Sequence, residues 1–175
     1  MRTGKNALVF VRHGEPLFPE KGEKYFLGRT DWPLSERGKS QADSLRVLFD
    51  KMEWDACFTS PLVRAKQTAE IACADLPIAP VGKAELAELN LGEWDGRTRK
   101  ELEKKFPRLF RERESDFFGF RFPGGDSFAY LAQRAVPFLV SILKEKGRRL
   151  VFSHIGVYRV LLHDVFGLCF PDVFT

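Results

Sequence analysis

Cysteine is sparse in this chain. Three are present in 175 residues, Cys57, Cys73 and Cys169, and no pair has CxxC or metal-ligand spacing. An odd, sparse set argues against a disulfide framework and predicts reduced thiols in a cytoplasmic protein. Long hydrophobic runs are also missing. No stretch approaches membrane-spanning length, and the apolar segment near the basic N-terminus is too short for a signal peptide and runs into Arg12. Charge of one sign is nowhere concentrated. Lys plus Arg is 28 against 24 Asp plus Glu, a net of +4, and the two signs interleave, as in Arg111-Glu112-Arg113-Glu114. That balance suits an anionic partner and argues against a nucleic-acid-binding stripe. Repeats, low-complexity tracts and linkers are absent, so the length predicts one domain over residues 1–175. Oligomeric state leaves no readable signal.

What the chain does have is phenylalanine, 17 residues of it, and an apolar run that stops abruptly. Ala7 to Glu15 reads ALVFVRHGE. A continuous apolar run of this kind predicts a short strand covered on both faces. Arg12, His13 and Gly14 then fall at its carboxyl end, where open α/β sheets bind ligands. Arginine offers a bidentate fork and glycine lets backbone N–H groups approach an anion, so this strand end reads as a phosphate site.

Further along, a long loop from Pro16 to Leu34 contains Tyr25, Phe26, Gly28 and Asp31, and loops of this length are often functional. Ser35 predicts the cap of a helix with Ala42, Leu45, Leu48, Phe49 and Met52 inward, slightly weakened by Gly38. Ala56 to Thr59 predicts a strand, and Ser60-Pro61 a cap and first-turn pair opening a helix with Leu62, Ala65, Ala69 and Ala72 on one face. Arg64 lies in that first turn, where a cation is disfavoured by the helix dipole unless an anion sits between them. Ile78 to Val81 predicts a third strand. Thr98 caps a helix through Phe106, and Pro107 to Asp116 reads as a solvated helical piece. Asp126 or Ser127 starts a long helix that Pro137 should kink or interrupt. Leu150 to Phe152 predicts a last core strand ending at Ser153-His154-Ile155-Gly156, followed by an apolar helix, Val157 to Phe166.

Alternating strands and helices predict an α/β three-layer sandwich, a mostly parallel sheet with helices on both faces. Three strand ends then meet, carrying Arg12 and His13, Ser60 and Arg64, and Ser153 and His154. Each residue also has an ordinary reading. Arg64 could face solvent, Arg12 could pair with an acid, and His163 reads as structural or surface. Glu88 has near rivals in Glu85, Glu93 and Asp95. Trp94 reads as a core anchor, and Tyr25 and Phe26 as loop packing. Two histidines and a carboxylate also match a zinc set, but two arginines in the same pocket would repel a divalent cation.

Taken together, VRHGE (Val11–Glu15), GRTDWPLSERGKSQA (Gly28–Ala42), TSPLVRAKQTA (Thr59–Ala69), ELNLGEWDG (Glu88–Gly96), PGGDSF (Pro123–Phe128) and FSHIGVYRVLL (Phe152–Leu162) resemble the histidine phosphatase superfamily, the phosphoglycerate mutase-like proteins. The set covers almost the whole chain, and looks most like the small phosphatase branch that includes α-ribazole phosphatase. The resemblance implies a phosphoglycerate mutase-like fold with an insertion at about 97–125 beside the active site. It implies a metal-independent phosphatase with no cofactor, acting on a small phosphorylated metabolite. His13 matches the nucleophile that becomes phosphohistidine. Arg12, Arg64 and His154 match the groups holding the phosphoryl oxygens, with Gly28 among the substrate-binding positions. Glu88 matches the acid that protonates the leaving group. A mutase, a protein phosphohistidine phosphatase and a non-catalytic phosphate-binding domain are the alternatives. The chain departs from the family pattern in three places: Pro16-Leu17-Phe18 where many members carry an Asn, Leu27 before Gly28, and Ile155 for a frequent glycine. It ends at Phe170–Thr175, without the final strand many relatives have. Pro16–Thr30 and Leu109–Gly125 are the stretches expected to choose the substrate.

Overall fold

A computed structural model describes residues 6–20 and 22–168; Cys169 and the segment 170–175 lie outside the described residues. The strands are β1 (Ala7–Arg12), β2 (Ala56–Thr59), β3 (Pro80–Gly82) and β4 (Arg148–Ser153). The helices are α1 (Glu36–Phe49), α2 (Val63–Ala72), α3 (Arg99–Lys105), α4 (Pro107–Ser115), α5 (Phe128–Lys144) and α6 (Ile155–Phe166). All strand pairings are parallel and the order is β1-β4-β2-β3.

Side chains alternate across the sheet with the period of two that a pleated strand imposes. Val9, Val11, Cys57, Leu150 and Phe152 pack on one face against Phe49 of α1 and Ala69 and Ala72 of α2. Leu8, Phe10, Phe58 and Val151 pack on the other against Leu131, Ala135 and Leu139 of α5 and Val157 and Val160 of α6. The three layers follow directly. Trp94 is a core anchor, as its surroundings predicted: it is fully buried and stacks on Phe110 at 4.6 Å between ring centres.

Helix starts agree well with their capping signals. Ser35 accepts from the Gly38 N–H at 3.0 Å, Thr98 forms a reciprocal capping box with Glu101, and Ser127 accepts from the Tyr130 N–H. Several expectations need correction. β1 has helices over both faces, as expected, but as the first strand in the order, with one neighbour, its cover is partial: Val11 is buried, and Leu8, Val9 and Phe10 are partly buried. Ser60 does not cap α2; the Val63 N–H is taken by Asp31 Oδ1 at 2.7 Å from the preceding loop. Leu48 and Met52 are exposed, Met52 because α1 has ended at Phe49. The third strand sits slightly later, at Pro80–Gly82, in register with Cys57–Thr59. Pro137 does not interrupt α5, which runs through it. Pro137 and Gln133, whose carbonyl loses its partner, both lie on the exposed side of the helix, where water replaces the missing N–H. Gly38 is not a weak point either. A Cβ there would come within 2.2 Å of the Glu15 carbonyl oxygen, so the glycine lets α1 press against the loop after His13.

Candidate active site

The sheet order creates the site. β4 arrives last in the chain and inserts between β1 and β2, pairing Arg12 with Ser153 and Phe152 with Thr59. The pairing continues one residue past the strands: the His13 N–H donates to the Ser153 carbonyl at 3.1 Å, and the Ser60 N–H to the Phe152 carbonyl at 2.8 Å. Three separate strand ends are thereby locked side by side, at the edge where α/β sheets open to ligands.

His13 and His154 face each other with ring centres 5.1 Å apart. His13 Nδ1 lies 2.8 Å from the Gly14 carbonyl oxygen. A carbonyl only accepts, so Nδ1 carries the proton and Nε2 keeps its lone pair. Burial holds the His13 pKa down to about 4, and the Arg64 and Arg12 charges add to that effect. The imidazole is therefore neutral near pH 7. His154 is completely buried, and its Nε2 is 2.7 Å from Ser60 Oγ. Burial, followed by the charges of Arg64, His13 and Arg12, pushes its pKa well below the ordinary value. Burial and the neighbouring cations therefore favour the neutral ring.

Arg64 is also completely buried, projecting from the first turn of α2. It is not a solvent-facing arginine. Its Nη atoms donate to the carbonyls of Gly28 at 2.6 Å and Thr30 at 2.9 Å. Gly28 thus stands behind Arg64 and supports it through its carbonyl. The loop that supplies those carbonyls is tied by Asp95, whose carboxylate accepts the N–H groups of Gly28, Arg29 and Thr30. Arg12 is exposed and lines the cavity.

Glu88 is 6% exposed, whereas its rivals Glu85 and Glu93 are not among the buried residues. Its Oε1 accepts from its neighbour's N–H, that of Leu89, at 2.8 Å, and its Oε2 from the Gly156 N–H at 3.1 Å. The carboxyl therefore sits at the N-terminus of α6, two residues beyond His154. Burial raises its pKa; the two backbone hydrogen bonds and the Arg64 and Arg12 charges oppose that and do not cancel it. Gly156 is required by this contact, since a Cβ there would lie 2.1 Å from Glu88 Oε1. The segment bearing Glu88 is clamped by Arg134 of α5, whose guanidinium donates to the carbonyls of Ala84, Glu85 and Ala87 at 2.7, 2.8 and 2.7 Å.

A cavity of about 260 Å³ opens over His13, Arg12 and Glu88. Phe18, Tyr25, Phe26, Phe122 and Phe128 also line it, and the loop residues Phe18 and Tyr25 stack on each other at 5.5 Å between ring centres. Six buried side-chain nitrogens among the described residues lack a hydrogen-bond partner. Arg64 Nε and His154 Nδ1, both beside His13, are two of them. Sequence reasoning missed Ser60 as a partner of His154, and Asp31, Asp95 and Arg134 as supports. Each of them acts on a residue or backbone group distant in sequence, so local pattern carried no signal for it.

A parallel sheet between helical layers, with a hollow lined by Arg12, His13 and Glu88 at its carboxyl edge, defines the protein as one of the α/β class. The comparison with known proteins is specific. Residues 8–174 match the model of the histidine phosphatase superfamily (branch 1), and the chain belongs to that superfamily. It is 32% identical to the fructose-2,6-bisphosphatase of Saccharomyces cerevisiae over 86% of this chain and 32% of that one. It is 31% identical to phosphoserine phosphatase 1 of Hydrogenobacter thermophilus over 92% of this chain and 76% of that one. The crystal structure of the α-ribazole phosphatase from Shigella flexneri superposes with a TM-score of 0.84 at 26% identity, covering 95% of this chain and 83% of that one. The fold is thus the phosphoglycerate mutase-like one. The chain spans about a third of the length of the yeast relative. Its matches include both phosphatases and phosphoglycerate mutases.

Proposed function

We propose that this chain is a metal-independent phosphatase that hydrolyses a small phosphomonoester through a phosphohistidine on His13. The observation that carries the reading is the state of His13. Its Nδ1–H is pinned to the Gly14 carbonyl, and burial keeps the ring neutral, so Nε2 is a ready nucleophile. Arg12, Arg64 and His154 surround it with donors for the phosphoryl oxygens. Arg64 Nε and His154 Nδ1 are buried and lack hydrogen-bond partners, and a buried N–H without an acceptor is costly. With the Ser60 hydroxyl donating to His154 Nε2, the neutral ring carries its proton on Nδ1. Phosphoryl oxygens satisfy both groups. Positioning and electrostatics of this kind supply most of the catalysis in phosphoryl transfer.

In the first step His13 Nε2 forms a bond to phosphorus as the ester P–O bond breaks. Glu88, whose pKa is raised by burial, gives its proton to the leaving oxygen. In the second step a water oxygen attacks phosphorus, its proton passes to the Glu88 carboxylate, and the N–P bond breaks. Phosphate leaves, and His13 and Glu88 return to their starting states. The arginines make the same hollow hostile to a divalent cation, so chelation should leave the rate unchanged.

Brief mixing with a ³²P-labelled phosphomonoester, followed by quenching, should trap label that is labile to acid and stable to base. His13→Ala should carry none and should lose turnover, while EDTA should change neither result for the unsubstituted protein. Turnover by folded His13→Ala would remove the nucleophile assignment. Incubation with 3-phosphoglycerate should yield free phosphate; its isomer would instead indicate a mutase.

A further inference from the structure

As a nucleophile, His13 must keep Nε2 bare and its proton on Nδ1. The group that holds the proton there is the Gly14 carbonyl, 2.8 Å away. Which ring nitrogen is protonated depends on that one hydrogen bond. Gly14 lies two residues past the end of β1, beyond the His13 N–H that makes the last sheet contact of that strand. The direction of its carbonyl is therefore not set by the sheet. Side chains from two helices set it.

A peptide unit is planar, so fixing its N–H also fixes its carbonyl. The Gly14 carbonyl shares a peptide with the Glu15 N–H, and that N–H donates to Gln41 Oε1 of α1 at 2.8 Å. His13 Nδ1 and Gln41 are thus linked through a single peptide. A hydrogen bond at one end of a peptide polarises the other, so the Gln41 contact also makes the Gly14 carbonyl a better acceptor. α1 holds Glu15 a second time, through the Ser35 N–H, which donates to the Glu15 carbonyl at 2.9 Å. The close approach needs Gly14, since a Cβ there would lie 2.5 Å from the Gly38 carbonyl oxygen. α2 holds the preceding peptide. The Gly14 N–H donates to Thr68 Oγ1 at 3.0 Å. Thr68 gives its own hydroxyl proton to the Arg64 carbonyl at 2.7 Å, which leaves only lone pairs facing Gly14.

We propose that Gln41 and Thr68 are positioning residues for the nucleophile: by orienting the two peptides that follow His13, they hold the His13 proton on Nδ1 and aim Nε2 into the cavity. The effect on rate rests on the phosphatase reading of the His13 centre; the effect on the tautomer does not. Gln41 is exposed and Thr68 is buried. Water can replace Gln41 as an acceptor for the Glu15 N–H, but a mobile water does not hold the peptide in one direction. Loss of the Thr68 hydroxyl leaves the Gly14 N–H buried without an acceptor. Each helix thereby contributes to the state of a histidine it does not carry.

The test reads the ring nitrogens of the unliganded protein by ¹⁵N NMR at pH 7, with the His13→Ala spectrum assigning the His13 signals. The unsubstituted protein should show Nδ1 protonated and Nε2 bare. Gln41→Met, which removes the acceptor and keeps the length, should shift His13 to a mixture of the two tautomers. It should also slow phosphohistidine formation from p-nitrophenyl phosphate about tenfold or more, with little change in KM. Gln41→Glu, which keeps an accepting oxygen, should restore both. Thr68→Val should act as Gln41→Met does, and Thr68→Ser should restore the tautomer and the rate. An unchanged tautomer in folded Gln41→Met, or in folded Thr68→Val, would overturn the proposal, as would a loss in Gln41→Met that Gln41→Glu does not restore. Should the unsubstituted protein turn over no phosphomonoester, the phosphatase reading fails separately, and the spectra still decide whether the two residues set the tautomer.

Discussion

At the scale of single residues, the proposed reaction depends on the proton affinities of two groups, His13 and Glu88. Burial, more than any other cause, holds the His13 pKa down to about 4 and raises that of Glu88, favouring the neutral ring and the protonated acid. The signs give the pH profile. As pH falls through about 4, His13 gains a proton and its lone pair is lost; as pH rises through the elevated Glu88 pKa, the acid is lost. A bell-shaped kcat/KM, corrected for substrate ionisation, is expected, with its acid limb well below the ordinary histidine value of 6.5. Glu88→Gln should lose the basic limb and slow alkyl phosphates far more than aryl phosphates. An acid limb near 6.5 would show that His13 is not held neutral. Gly156 sets the position of that acid. Gly156→Ala places a methyl 2.1 Å from the present Glu88 Oε1. The carboxyl must then move, and activity on alkyl phosphates should fall about tenfold or more, the cost of misplacing a catalytic group. Aryl phosphates, which need little acid assistance, should be affected less.

At the scale of elements, the segment bearing the proposed acid, Glu88, is held by α5. Arg134 of α5 grips the carbonyls of Ala84, Glu85 and Ala87, fixing the turn that leads into Glu88. It is a positioning residue. Arg134→Met should lower kcat on alkyl phosphates, with little change in KM and a diminished basic limb in the pH profile. Arg134→Lys should rescue it poorly, since an ammonium cannot reproduce the planar fork. If the variant loses stability without any change in leaving-group dependence, the clamp is structural only. The capping signals at Ser35, Thr98 and Ser127 were legible because a cap and its helix are neighbours in sequence. The start of α2 was not, because its cap, Asp31, comes from a loop 32 residues earlier.

For the whole molecule, β4 joins both cores and carries the peptide that aligns His13 with His154. Phe152 is fully buried against Phe49, Val11 and α2. Phe152→Ala should cost about 3–5 kcal/mol in urea unfolding, the usual range for a large cavity in a core. A loss below about 1 kcal/mol would mean that the site can repack around the gap.

Sequence by itself determined the class of fold and pointed to the five residues proposed to form the reaction centre. Apolar periodicity and polar strand ends are local properties, and Arg12-His13-Gly14 and Ser153-His154 each announce themselves within a few positions. Tertiary structure decided what those residues are chemically. It alone put β1 at an edge, buried Arg64 against the Gly28 and Thr30 carbonyls, and buried Glu88 while Glu85 and Glu93 stay outside the core. Burial and charge proximity depend on which distant segments meet, and proton affinities follow from those two quantities.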